Sequence, residues 1–219
     1  MKPAAFLFDL DGTLVDTETV WAKAMAQWVC EKGGDADTDE IYAFVVGHSW
    51  IDIDEMLHAK YPVLGRSSPA EDAVTLRAIY QSLAGDPREM RIESSIAFYR
   101  RAAEIAPCAI VSGSPHDDVV AAAKTCGIEA LTKLVLGAGE YTAGKPSPSG
   151  YLKAAEILGV DPASCVVVED STAGVASGVA AGMKVIALDR AAIIPQRYDG
   201  ATWRVHDLSD LDFAKEFDA

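Results

Sequence analysis

The chain has 219 residues, with 33 acidic against 19 basic side chains and a formal net charge of −14. Half of it is apolar and 24% is charged, a balance too apolar for a disordered chain and ordinary for a globular one. The acidic excess argues against a general nucleic-acid binder, whose phosphate contacts need Lys/Arg patches, and against an anionic membrane surface.

The longest apolar runs, such as Ala4–Phe8 and Cys165–Val168, fall far short of the roughly 20 residues that span a bilayer. Asp9 arrives before a signal-peptide hydrophobic region could form, so a cytoplasmic protein is expected. Cys30, Cys108, Cys126 and Cys165 are scattered, with no C-x-x-C pair and no His spaced for zinc. Cys108 and Cys165 each open an apolar run and read as small buried residues.

In chain order, the first strand is expected at Ala4–Phe8. From 17 to 87 no strand pattern appears, and the segment reads as helices separated by Gly33-Gly34, Gly47, Tyr61-Pro62 and Ser67-Ser68-Pro69. The first of these helices carries Trp21, Met25, Trp28 and Val29 on one face, a stripe that reads as core packing. Strands then follow at Cys108–Val111, Lys133–Leu136, Cys165–Val168, Lys184–Leu188 and Thr202–Val205. They alternate with helices at Asp117–Cys126, Ser149–Leu158 and Ala173–Ala181, which end at Gly127, Gly159 and Gly182.

The strands lack apolar/polar alternation, as strands buried on both faces of a parallel sheet do. The expected fold is therefore α/β: a doubly wound, mostly parallel, Rossmann-like sheet formed by residues 1–16 and 88–219. Residues 17–87 form a separate helical domain inserted after the first strand.

The chemistry concentrates where strands end. Ala4-Ala5-Phe6-Leu7-Phe8-Asp9-Leu10-Asp11-Gly12-Thr13 puts two carboxylates two residues apart at the end of a buried strand. In open α/β sheets that is where ligands sit. Two carboxylates there repel each other and resist desolvation, which calls for a cation or a shared proton. Mg²⁺ suits oxygen ligands of this kind together with a substrate phosphate. By itself a D-x-D-G is equally an acidic turn with capping duty. Ser112 and Ser114, Lys145 in Gly144-Lys145-Pro146, and the pair Glu169-Asp170 stand near the ends of later strands. Each has a bland reading as a turn, a cap or a solvated charge. Their convergence on one sheet edge would make a phosphate and metal site.

These motifs, in this order, resemble the haloacid dehalogenase superfamily of phosphohydrolases, and the helical insertion resembles its mobile cap. The resemblance covers nearly the whole chain and is strongest to the β-phosphoglucomutase-like and small phosphate-ester phosphatase branch. It implies that Asp9 is the nucleophile, forming an aspartyl-phosphate, and that Asp11 is the general acid and then the base for water. It implies Mg²⁺ held by Asp9, Asp11 through its backbone carbonyl, Asp170 and Glu169, the last directly or through water. Ser112 is expected to donate to a phosphate oxygen beside the backbone N–H groups of Asp11 and Gly113, with Gly12 and Ser114 also lining the phosphate site. Lys145 is expected to neutralise charge on Asp9 and the transferring group, and Thr13 to orient Asp9 or its turn.

The dehalogenase branch needs no acid for a halide and does not normally carry an Asp at the position of Asp11; the ion-pumping branch reads D-K-T-G-T. Phosphate-ester chemistry remains. β-Phosphoglucomutases carry a His where this chain has Trp21, and an Arg in a G-x-S-R cap motif where it reads Gly47-His48-Ser49-Trp50. Without that Arg a second phosphate lacks a partner, which favours a phosphatase acting on a small phosphorylated metabolite, such as a sugar or polyol phosphate. A phosphohexose mutase and a non-catalytic phosphate-binding module remain the alternatives. His48, Trp50, Arg66 and Arg77 are the cap residues that could touch substrate.

Overall fold

The computed structural model describes residues 2–45, 50–190 and 196–217. The chain divides into two compact units, one made of Met1–Val15 with Arg91–Ala219 and the other of Asp16–Met90.

The elements run β1 (Ala5–Phe8), α1 (Glu18–Glu31), α2 (Thr38–Val45), α3 (Trp50–Lys60), α4 (Pro69–Leu83), α5 (Glu93–Ile105), β2 (Cys108–Val111), α6 (His116–Thr125), β3 (Thr132–Leu136), α7 (Ser149–Leu158), β4 (Cys165–Glu169), α8 (Thr172–Ala180), β5 (Lys184–Leu188), β6 (Trp203–Val205) and α9 (Phe213–Phe217). The expected strands and helices are all present, with bounds moved by a residue at most. β4 runs on through Glu169, so this acid ends the strand itself rather than following it.

The larger unit is built on one sheet of order β3-β2-β1-β4-β5-β6, with every pairing parallel. This is the doubly wound order in which the chain reverses direction across the sheet beside β1, opening a crevice beyond the strand ends. β1 shows why its sequence is apolar without alternation. Phe6 and Phe8 point into one core with Ile96, Phe98, Tyr99, Phe213 and Phe217 from α5 and α9. Ala5 and Leu7 point into the other, with Tyr151, Ala154 and Val175 from α7 and α8. The edge strands β3 and β6 are only half buried, since neighbours cover them on one side alone. α7 stops where Gly159 adopts a left-handed conformation (φ +67°), which a residue with a Cβ enters only under strain.

The smaller unit packs α1, α2, α3 and α4 around Met25, Trp28, Val29, Ile41, Leu57 and Leu76. Met25, Trp28 and Val29 of the expected stripe are buried, while Trp21 is half-buried and stacks on Tyr80 with ring centroids 4.2 Å apart. α4 opens with a capping box: the Ser68 hydroxyl accepts from the Glu71 N–H, and the Glu71 carboxylate accepts from the Ser68 N–H. The chain leaves the larger unit at Val15 and re-enters at Arg91, where these two residues form an antiparallel bridge.

Candidate active site

Asp9 directly follows β1, and its N–H still donates to Val168 O of the neighbouring strand at 3.0 Å. The nucleophile candidate is thus fixed by sheet hydrogen bonds and is only 7% exposed. The chain then turns sharply. Leu14 N–H donates to Leu10 O at 2.8 Å and Gly12 N–H to Val15 O at 2.7 Å. Gly12 has φ +78°, and any Cβ there would strike the carboxylate of Asp170. Glycine is required on both counts.

Asp11, two residues past Asp9, is held by hydroxyls from beyond β2. Ser112 Oγ donates to Asp11 Oδ2 at 3.2 Å and Ser114 Oγ to the same oxygen at 2.8 Å. The Ser114 N–H in turn donates to Ser112 Oγ at 3.0 Å. Ser112 is fully buried; Gly113 is exposed, with open space where a side chain would be.

Lys145 reaches in from the loop before α7. Its ammonium donates to Asp9 Oδ1 and to Val111 O at 3.1 Å, pairs with Glu169 Oε1 at 2.6 Å, and stands 5.2 Å from the Tyr151 ring centroid. A solvated loop lysine is excluded. Glu169 is completely buried. Tyr151 Oη donates to its Oε1 at 2.8 Å, and its Oε2 accepts from Asp170 N–H at 3.1 Å and Ser171 Oγ at 3.2 Å. Both oxygens are therefore engaged by protein donors. Asp170 is held on its side chain by Thr13 Oγ1 at 3.2 Å. Its backbone carbonyl accepts from Tyr198 Oη at 3.0 Å.

Burial pushes the Asp9 carboxyl well above the usual carboxylate range; Lys145 opposes this, while Glu169 and Asp11 add to it. Burial disfavours the Lys145 ammonium, but Asp9 and Glu169 more than offset that and hold its pKa well above the ordinary lysine value. One ammonium thus faces several carboxylates, and the surplus negative charge favours a further cation. Asp9, Glu169 and Asp170 each offer a carboxylate oxygen, all within 4.8 Å of one another. An all-oxygen acidic donor set of this kind fits a hard divalent ion such as Mg²⁺.

The structure therefore brings together Asp9, Asp11, Gly12, Thr13, Ser112, Ser114, Lys145, Glu169 and Asp170 at the carboxyl end of one sheet. The expected cap contacts fare differently. His48 lies outside the described residues. Trp50 donates from Nε1 to Pro69 O at 2.9 Å and packs against the cap core. Arg66 and Arg77 are exposed. Tyr151, Tyr198 and Arg190 belong to the site's support and were not foreseen. Arg190 donates to Gly12 O at 2.9 Å and to Ser95 Oγ at 2.8 Å, and its position just past β5 was the available signal. Tyr151 gave none, being one aromatic on the apolar face of α7.

A model of the haloacid dehalogenase-like hydrolases matches residues 3–182. The chain belongs to this family. It is 31% identical over 217 residues to hexitol phosphatase A of Escherichia coli strain K12, covering 99% of this chain and 96% of that one. It is 29% identical over 182 residues to 6-phosphogluconate phosphatase of the same organism, covering 83% and 80%. A crystal structure of β-phosphoglucomutase from Clostridium difficile superposes with a TM-score of 0.76, at 23% identity, covering 98% of this chain and 95% of that one. It shares the fold. The protein is an HAD-like phosphatase with an α/β core, and among its described residues no helix is long and apolar enough to cross a membrane.

Proposed function

We propose that this phosphatase hydrolyses a small sugar or polyol phosphate monoester through an aspartyl-phosphate on Asp9, with Mg²⁺ as cofactor. The observation that carries the reading is the Asp9–Lys145 ion pair at the end of β1, with Asp11 hydrogen-bonded two residues on. The names of the two Escherichia coli relatives, a hexitol phosphatase and a 6-phosphogluconate phosphatase, support the substrate class.

An Asp9 carboxylate oxygen attacks phosphorus in line, forming the acyl-phosphate bond as the ester P–O bond breaks. Asp11 gives its proton to the departing alkoxide, leaving a free alcohol. It then takes a proton from a water whose oxygen attacks phosphorus, and phosphate leaves Asp9 as a carboxylate. Lys145 balances charge on Asp9 and the transferring oxygens, and the Ser112 hydroxyl turns from Asp11 to donate to one of those oxygens. Asp9 and Asp170, with the Asp11 carbonyl, would hold Mg²⁺, which offsets repulsion between the enzyme's carboxylates and a dianionic ester when bound. Glu169 positions Lys145 and would also meet the metal, directly or through water.

A phosphohexose mutase fits less well. Position 50 is Trp where the mutase motif has Arg, and its indole N–H is committed to Pro69 O. The test is phosphate release from an aryl phosphate and from a panel of hexitol and sugar phosphates. Turnover should vanish in Asp9→Asn and on chelation by EDTA, and return when Mg²⁺ is restored. Full activity in Asp9→Asn would refute the mechanism; interconversion of hexose phosphates outrunning phosphate release would replace hydrolysis with mutase chemistry.

A further inference from the structure

The helical unit contains a second group of metal-type ligands, unrelated to the phosphatase site. Asp54 and His58 stand one turn apart on one face of α3, and Asp72 lies in the first turn of α4. One ligand atom from each falls within 4.8 Å of the others. His58 Nε2 is 2.7 Å from Asp72 Oδ2 and 4.0 Å from Asp54 Oδ1. Ser67 Oγ donates to Asp72 Oδ2 at 2.7 Å and lies 3.5 Å from His58 Nε2.

A His58–Asp72 ion pair bridging α3 and α4 explains only part of this. Asp54 is 4% exposed, yet its Oδ1, the atom facing His58, has no hydrogen-bond partner among the described residues. A buried carboxylate oxygen left unpaired is costly. Two carboxylates crowd together, one oxygen of Asp54 without a hydrogen bond, with imidazole alongside.

We propose that Asp54, His58 and Asp72 bind a transition-metal dication of the Zn²⁺ class, clamping α3 to α4. An imidazole nitrogen among the donors favours such ions over Mg²⁺ or Ca²⁺. His58 is set up for it: Nδ1 lies 3.2 Å from Gly65 O, and an N–H donated there leaves Nε2 as the metal-binding nitrogen. The Trp28 ring stands edge-on to the imidazole, with centroids 6.1 Å apart. Ligation would satisfy Asp54 Oδ1, which the ion pair alone does not.

The experiment is calorimetric titration of the metal-stripped full chain with Zn²⁺, in excess Mg²⁺, for the wild type, Asp170→Asn, His58→Gln and Asp54→Asn. Wild type and Asp170→Asn should both bind Zn²⁺, and their unfolding temperatures should rise on binding. His58→Gln and Asp54→Asn, shown folded by circular dichroism, should bind at least roughly tenfold more weakly. In the ¹⁵N-labelled wild type, Zn²⁺ should shift His58 Nε2 directly, a readout that needs no variant. Zn²⁺ binding that disappears in Asp170→Asn, or a His58 Nε2 signal unmoved by Zn²⁺, overturns the proposal. Loss of turnover in Asp9→Asn bears only on the phosphatase reading and leaves this one standing.

Discussion

Gly174 faces the carboxylate of Glu169 with no room for a Cβ between them. The first turn of α8 is thereby moulded around the buried acid that positions Lys145.

Gly174→Ala should therefore disturb both stability and catalysis. Forcing a methyl into this contact costs about 1–3 kcal/mol, and the displaced Glu169 pulls Lys145 away from Asp9. Chemical denaturation should show the loss of stability, and kcat should fall while the protein is still folded. An alanine variant with wild-type kcat would show that Glu169 does not set the lysine's position.

Tyr151→Phe removes the hydroxyl that donates to Glu169 Oε1 and keeps the ring. Losing a hydrogen bond to a buried charged group should destabilise the fold by about 1.5–3 kcal/mol. The effect is read as a lower denaturation midpoint with an unchanged slope.

Ser114→Ala tests the hold on Asp11. Without its 2.8 Å donor, Asp11 loses the shorter of its two serine bonds, and its carboxyl is less well placed for proton transfer. The expected result is a fall in kcat of about tenfold with KM little changed, because the serine orients a group used in the chemical step. An equal rise in KM would point instead to direct phosphate binding by Ser114.

Asp207 links the C-terminal segment to α5 through the Ser94 hydroxyl at 2.5 Å and caps the turn after it by accepting from Ser209 N–H. Burial works to raise its pKa, but the hydrogen bonds from Ser209 and Ser94 outweigh it and hold the carboxyl below the usual range. Its folded pKa is thus lower than its unfolded one, near 3.9. Its stabilisation is complete above that value and fades as pH falls through the folded pKa. Asp207→Ala should lower the melting temperature at pH 7, by about 0.5–2 kcal/mol in stability, and by less in strong acid. A pH-independent loss would show that the ionised form is not what matters.

Much of this was legible because it is local. The run Phe6-Leu7-Phe8 reads as doubly buried from its own composition, and an acid directly after it can only lie at a strand end. Lys145 and Asp9 are far apart in sequence, yet the parallel topology alone brings strand ends and their loops to one edge. What stayed hidden depends on how helices settle. Tyr151 looks like any aromatic on an apolar face until α7 packs on the sheet and its hydroxyl meets Glu169. Thr13 could as well have served Asp9 as Asp170, since turn geometry decides it. No histidine looks spaced for zinc in the sequence, because Asp72 joins Asp54 and His58 only through the packing of α4 on α3.

The central place of β1 has a further consequence. Hydrogen-bonded on both edges, it cannot fray as a border strand does. The Phe6 amide, bonded to Pro107 O at 3.0 Å, and the Asp9 amide, bonded to Val168 O, should take up deuterium only when the entire sheet opens. The backbone beneath the reacting carboxylate should thereby exchange as slowly as the neighbouring interior strands, a still anvil on which repeated turnovers fall.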